Sequence, residues 1–322
     1  MPSTPIRRTF VAAGLALLLP ISHAQGDTDK FPIKPITWLV GWPPGGSADV
    51  VSRQVARELE TKLGQPVIVD NRPGASGSIA LNAAAKAAPD GYTIVTVPGP
   101  VLMNIPVPQL GKELTGVAQL AKGPMVLVGT QAGSKASLKD LIADAKAHPA
   151  AYSFASSGNG TSQHLAGELL NQMAGTKMTH IPYKGGNQAV TDVIGGQVPV
   201  GMLGITPVLA HIKSGKLKAY GVSTAQRSPA LPGVPSLAEA GVTGFDATQW
   251  FVVAAPAGTP SARLLKINAA IAEILAKPEI ATGFAAVGVQ PTPASPSETT
   301  SFVVGEQTRW GDLARKANLP LD

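Results

Sequence analysis

An α/β fold built from two similar units is what this sequence predicts, and three observations carry the prediction. Apolar runs are bounded by Pro or Gly, glycine-rich turns follow several of those runs, and helical stripes follow the turns. Composition agrees: 44% hydrophobic and 14% charged residues, with 35 Gly and 29 Pro among 322 residues, describe a folded chain with many turns. At roughly 100–200 residues per domain, that length suggests about two domains.

The N-terminus predicts a targeting segment. Arg7 and Arg8 precede an apolar run from Phe10 to Leu19, and Ser22-His23-Ala24 is a small-x-small cleavage pattern, so residues 1–24 are expected to be a signal peptide. The run is too short for a bilayer span of about 20 residues, which implies export without anchoring. Arg7-Arg8-Thr9-Phe10-Val11 loosely fits a twin-arginine signal, leaving both the Sec and the Tat route open. The chain has no Cys, which excludes a lipid-linked cysteine, a disulfide framework and a thiolate metal site. A soluble protein of the bacterial periplasm is the expectation.

Pro35–Trp42 reads as a buried strand, and Val51, Val55, Leu59 and Leu63 form a helical stripe closed by Gly64. Pro66–Asp70 is the next strand, Asn71–Ser78 a glycine-rich turn, Ile79 onward a helix, and Gly91–Val97 a third strand. The second unit repeats the plan. A strand ends at Ser156, a loop spans Ser157–Gly160, and a helix carries Leu165, Leu169, Leu170 and Met173. A strand then runs into Tyr183-Lys184-Gly185-Gly186, with a helix to Ile194, a strand over Gln197–Leu203 and another over Leu217–Thr224. Ser228–Gly241 reads as a Pro-rich surface loop leading into a short helix. Pro124–Thr130 and Gln249–Pro256 would cross between the units, and two crossings make a hinge. The helix over Pro260–Leu275 would pack back on the first unit.

Four glycine-rich turns stand between a strand and a helix: Pro43–Ser47, Pro73–Gly77, Ser156–Thr161 and Lys184–Asn187. Two readings stay open for each: a tight turn with a Pro or Gly helix start, or an anion site made of unpaired N–H groups at a helix N-terminus. Four on facing units favour a cleft for a small anion, and the formal charge of +6 weakly agrees. Nucleotide patterns are missing, since no turn has G-x-x-x-x-G-K-[ST] or G-x-G-x-x-G. Ser156, Ser157, Thr161 and His164, with Asp49 or Glu168, make a triad on paper, but no G-x-S-x-G is present. His148, His164, His180 and His211 lack metal-ligand spacing, so neither metal nor cofactor is expected. Lys213, Lys216 and Lys218 have no interleaved aromatics and read as a solvated helix end, so no nucleic-acid partner is expected.

Taken together, the segments Trp42–Ile94, Ser156–Gly175, His180–Val198 and Leu231–Phe245 resemble the Bug family, the extracytoplasmic solute receptors of tripartite tricarboxylate transporters. The resemblance covers nearly all of the chain beyond the signal. It implies a two-lobed periplasmic binding protein of the type II arrangement, not an enzyme, that closes on a carboxylate and delivers it to a membrane permease. Lobe 1 is expected over residues 31–126 and 250–322, and lobe 2 over 127–249, in a monomer.

Carried onto this chain, the family's ligand loops fall on Gly45, Gly46, Ser47 and Asp49, and on Gly74, Ala75, Ser76 and Gly77. The lobe-two side falls on Ser156, Ser157, Asn159, Thr161 and His164, and on Tyr183, Lys184, Gly185 and Gly186. Asp49 is read as holding its loop. Trp42 stands where many relatives have Phe, and with Trp250 it suggests stacking walls, which keeps aromatic acids such as terephthalate beside di- and tricarboxylates. A serine hydrolase of carboxylate esters and a receptor for a sensor kinase are the alternatives.

Overall fold

The structure, a computed structural model, describes Met1 and residues 30–101, 107–132 and 134–316. Two compact units divide the chain, residues 1–31 and 32–322, and every element named here lies in the second. The expected signal peptide falls outside the described residues apart from Met1. Among the described residues no helix is long and apolar enough to cross a membrane.

The first half opens with β1 (Ile36–Val40), α1 (Ser47–Leu63), β2 (Val67–Asn71), a 3-10 turn at Ala75–Gly77, α2 (Ser78–Ala85) and β3 (Thr93–Val97). β1 pairs parallel with β2 and β3, as strands joined by helical crossovers must. Apolar character on both faces keeps the centre of this sheet dry: Trp38, Leu39, Val40, Ile94 and Val95 are all buried. α1 forms over its Val51, Val55 and Leu59 stripe, all three buried, and stops where Gly64 turns left-handed at φ 68° and returns its N–H to the Glu60 carbonyl.

The long strand β4 (Leu114–Thr130) joins the two sheets. Its residues 114–124 pair antiparallel with β9 (Thr248–Pro256), while 125–129 pair with β7 (Val200–Gly204) and 126–130 with β8 (Leu217–Val222). Between Pro124 and Met125 the strand therefore changes partners. The sequence predicts only its last seven residues, because register shifts between Gly116 and Ala118 and between Gln119 and Ala121 break the alternation upstream. β5 (Ser153–Ser156) and β6 (Thr179–Pro182) complete the second sheet in parallel with β7, giving the order β4-β7-β5-β6. Around that sheet lie α3 (Leu138–Ala147), α4 (Ser162–Ala174), α5 (Gly186–Ile194) and α6 (Ile205–Lys213). The result is two lobes joined at β4 and at the start of β9.

The expected short helix after the Pro-rich loop is a single turn. Ser236 Oγ accepts from the Glu239 N–H and the Glu239 carboxylate accepts from the Ser236 N–H, but Leu237–Gly241 go no further than turns.

After β9 come α7 (Ser261–Leu275), α8 (Pro278–Ala286), β10 (Gln290–Pro291) and α9 (Pro296–Lys316). α7 packs against α1, tied by the Lys62–Glu273 ion pair, and Lys277 just beyond it reaches Glu58 at 2.6 Å. α9 begins on the first lobe, where Thr300 Oγ1 accepts from the Gly116 N–H. Its later residues leave that lobe: Trp310 and Ala314 are buried among Leu127, Phe154, Leu170 and Met202 of the second. Residues 250–322, expected on lobe 1, thus include a helix whose two ends bury against different clusters. A 21-residue helix spans about 30 Å at 1.5 Å per residue, enough to reach both cores.

Candidate ligand-binding cleft

Strand–turn–helix passages of both lobes end in the same place. Gly46, Thr161, Gly185 and Gly204 are the N-caps of α1, α4, α5 and α6, and all four line a cavity of about 310 Å³. The three glycine caps make no side-chain cap hydrogen bond, which leaves the first N–H groups of α1, α5 and α6 without a capping side chain. Helix N-termini carry partial positive charge, and four of them converge on this one cavity.

A second compartment of about 290 Å³ lies beside the first, lined by Gly74–Gly77, Gly158, Asn159 and Tyr183. Trp42, Ser157 and Lys184 border both compartments. Trp42 is buried and its six-membered ring packs against Gly77, where an added Cβ would meet the indole at 2.4 Å. Lys184 is exposed and is the one charged side chain on either wall among the described residues.

Of the residues singled out from sequence, the structure brings Trp42, Gly46, Ser47, Ser157, Thr161, Lys184, Gly185 and Gly186 onto the main cavity, and Ala75, Ser76, Gly77, Asn159 and Tyr183 onto the second. Five take other places. Gly45 supplies the turn at φ 79°, and its N–H donates to Asp49 Oδ2 at 2.9 Å. Asp49 is buried behind the loop, where its Oδ1 accepts from Arg53 and Asn71, each at 2.8 Å. Ser156 and His164 are fully buried behind the third turn.

Trp250, expected as a stacking wall, is the clearest correction. Its indole packs edge-on against Phe302 of α9 and donates to Glu306 Oε2 at 3.2 Å, away from both compartments. Successive side chains of a strand point to opposite faces, so it is the neighbour Gln249 that reaches the main cavity. Arg72, the other cation near the turns, is exposed and pairs with Asp70 at 2.9 Å.

Behind the second-lobe wall lies a polar cluster. Ser156 Oγ shares a hydrogen bond with His180 Nε2 at 2.7 Å and accepts from the Gly158 N–H at 3.1 Å. The His180 ring stacks on His164 at 3.8 Å between centroids. His164 Nδ1 accepts from the Gly160 N–H at 3.0 Å, which places the proton of the neutral ring on Nε2, 3.9 Å from Glu168 Oε1. Burial holds the His164 imidazolium down to about 4, and burial together with the neighbouring His164 holds His180 down to about 3. Burial raises the Glu168 carboxyl. Both rings are therefore neutral at ordinary pH.

This arrangement does not build a hydrolase. Ser157 Oγ, on the cavity wall, donates to Gln163 Oε1 at 2.9 Å and not to an imidazole, while the Ser156–His180 pair lies off both walls. Sequence reasoning missed Gln163, Gln249 and Gly204. Gln163 sits between Thr161 and His164 in the first turn of α4, where a serine–histidine reading drew attention to its neighbours.

Comparison with known proteins follows the same line. The model of the tripartite tricarboxylate transporter family receptor matches residues 51–319. Protein BugT of Bordetella pertussis is 38% identical over 322 residues, covering 98% of each chain. The solved periplasmic binding protein BugD superposes with a TM-score of 0.82 at 29% identity, over 90% of this chain and 99% of its own. An R. palustris protein solved with adipate gives 0.84 at 29% identity, over 89% and 98%. The fold is that of a two-lobed periplasmic binding protein of the type II arrangement.

Proposed function

Because the chain belongs to the tripartite tricarboxylate transporter family of receptors, a family of binding proteins and not of enzymes, we propose that it captures a small organic carboxylate between its lobes and hands it to the membrane permease of such a transporter. The observation that carries this reading is the convergence of four helix N-termini, three of them glycine-capped, on one cavity with a single cation at its border. Backbone N–H groups then supply most of the grip. Each helix terminus contributes about 0.3–1 kcal/mol, up to about 2 when partly buried. Di- and tricarboxylates, and aromatic diacids such as terephthalate with Trp42 as the wall, are the ligand classes that fit. A relative solved with adipate supports the aliphatic end of that range.

The reading includes export of the chain by residues 1–24, action as a monomer, and hinge closure at the Pro124–Met125 step of β4 and the start of β9. A thermal-shift screen of carboxylates against neutral sugars and amides tests it. A ligand at about 100 times its dissociation constant adds about 2.7 kcal/mol of stability. A shift with a neutral sugar and none with any carboxylate overturns the anion site.

A further inference from the structure

We propose that the cavity behind the hinge is a second binding site, for a small tetrahedral oxyanion such as phosphate, and that its occupancy is coupled to closure of the lobes. Such a site stands whatever the cleft binds.

Thr248 and Gln249 are neighbours in β9, so their side chains face opposite sides of the sheet. Gln249 lines the cleft, whereas Thr248 lines a cavity of about 510 Å³ on the other side. Its walls come from both lobes, with Lys122 on β4 of the first and Arg227 and Ser228 in the loop after β8 of the second. Pro124, the last residue of β4 paired with β9, is also on the wall, so the cavity straddles the step where the strand changes partners. Gly288 closes it against the second lobe, where an added Cβ would lie 2.7 Å from Ile205.

Two cations line this cavity and no Asp or Glu does, among the described residues. The Lys122 ammonium is exposed and makes no ion pair or hydrogen bond among them. The Arg227 guanidinium donates through Nε to Glu239 at 2.9 Å and through Nη1 to the Pro232 carbonyl at 3.3 Å, which holds the fork in place and leaves Nη2 to spare. Ser228 is 5% exposed; its Oγ accepts from the Ala230 N–H at 3.3 Å, and its own O–H has no acceptor among the described residues. Each of these groups has a donor to offer, so an oxyanion that accepts on every oxygen answers them better than a neutral molecule or a cation. Glu239 offsets part of the charge and both cations are exposed, so a dissociation constant of about 1 mM is expected. The lobes meet across the cleft in this structure, where Asn187 Nδ2 donates to the Pro44 carbonyl at 3.4 Å. Rotation about the crossing strands moves the two sides of the sheet in opposite senses, so opening the cleft narrows the space behind it. An anion held between Lys122 and Arg227 at the present width therefore favours the closed arrangement.

Calorimetric titration of the purified protein with inorganic phosphate, in a buffer free of other oxyanions and at constant ionic strength, tests this. One phosphate per chain is expected. Lys122→Gln and Arg227→Gln should each weaken it about tenfold. Lys122→Gln removes a side chain with no partner to lose, which keeps the test intact should Arg227→Gln, which breaks the pair with Glu239, fold poorly. Lys184→Gln, at the cleft, should leave phosphate binding unchanged. Small-angle scattering at saturating phosphate should show a smaller radius of gyration in the unaltered protein, and no such change in Lys122→Gln at the same concentration. Loss of phosphate binding in Lys184→Gln but not in Lys122→Gln would place the anion in the cleft and overturn the site. Heat that never saturates, or that both back-side variants leave unaltered, would mean charge screening only and would also overturn it. Saturable binding at Lys122 and Arg227 with unchanged dimensions would overturn the coupling to closure.

Discussion

The two walls of the cleft hold similar glycine-rich turns by different means. Left-handed glycines occur on both walls, Gly45, Gly74 and Gly77 on the first and Gly158, Gly160 and Gly185 on the second, but among the described residues only the first wall puts non-glycine residues there, Ala75 at φ 44° and Ser76 at 50°. A side chain in that region costs about 1–3 kcal/mol and persists only where the surroundings enforce it. On the second lobe the turn at Ser157–Gly160 is pinned from behind by Ser156, Thr161, His164 and His180. One wall stores strain and the other stores buried polar contacts, so they should fail under different stresses.

Acid should separate them most. Both imidazoles titrate lower in the folded protein, at about 4 and about 3, than the ordinary 6.5, so between those values the unfolded chain binds more protons. Stability contributed by the neutral pair is complete above about pH 6.5 and is lost as pH falls toward the folded values. Glu168, raised by burial, works in the opposite sense but is a single group against two. Amide exchange at falling pH should show protection lost first at residues 156–164, while Pro43–Ser47 and Pro73–Gly77 hold. Simultaneous loss on both walls would break the comparison.

Contact between the walls is the next point of attack. A Cβ on Gly158 would lie 2.7 Å from Ser76 Oγ on the opposite lobe, and Gly158 has φ 136°. Gly158→Ala is therefore expected to oppose closure, and ligand affinity falls about tenfold if the contact with Ser76 costs about 1.4 kcal/mol more in the closed state. Adding Ser76→Gly should restore part of the affinity, because it removes the struck hydroxyl and relieves the strain at Ser76. No recovery in the double variant, measured by calorimetry, would show that the loss arises inside the second lobe and not at the meeting of the two.

Ser156→Ala should act on stability. It leaves His180 Nε2 and the Gly158 N–H without their partner in a mostly buried setting, at a cost of about 1–3 kcal/mol. Urea unfolding with unchanged slope would report it, and a change under about 0.5 kcal/mol would mean that water replaces the hydroxyl.

The sequence made the strand–turn–helix plan legible because parallel strands, helical stripes and glycine punctuation are local signals. All four turns flank the cleft for that reason. What stayed hidden depended on direction. Trp250 stood out as a large ring beside the hinge, but a strand alternates faces and the ring points to α9 while Gln249 points to the cavity. His164 stood out as a base, yet it is the intervening Gln163 that reaches the wall. α9 was illegible as a bridge because its two ends bury themselves in different cores, a property of tertiary packing and not of periodicity.

The smallest expected effects sharpen the same contrast between faces. Arg72→Ala removes an exposed cation already paired with Asp70 and lying on neither cavity wall, so affinity should change by less than about twofold. Trp250→Phe keeps the ring packed on Phe302 and deletes one donor to Glu306 Oε2, which still accepts from Trp310 Nε1 at 3.2 Å and pairs through its other oxygen with Arg309. A lost hydrogen bond to a charged group costs about 1.5–3 kcal/mol, but an acceptor that keeps its other partners places this change at or below the lower bound. Melting should shift by a few degrees while the titration curve of a bound carboxylate stays within about twofold. Since Trp250 and Gln249 are adjacent but face opposite sides of β9, an affinity loss of about tenfold in Trp250→Phe would mean that the strand transmits the change as a unit, and its two faces would no longer count as separate.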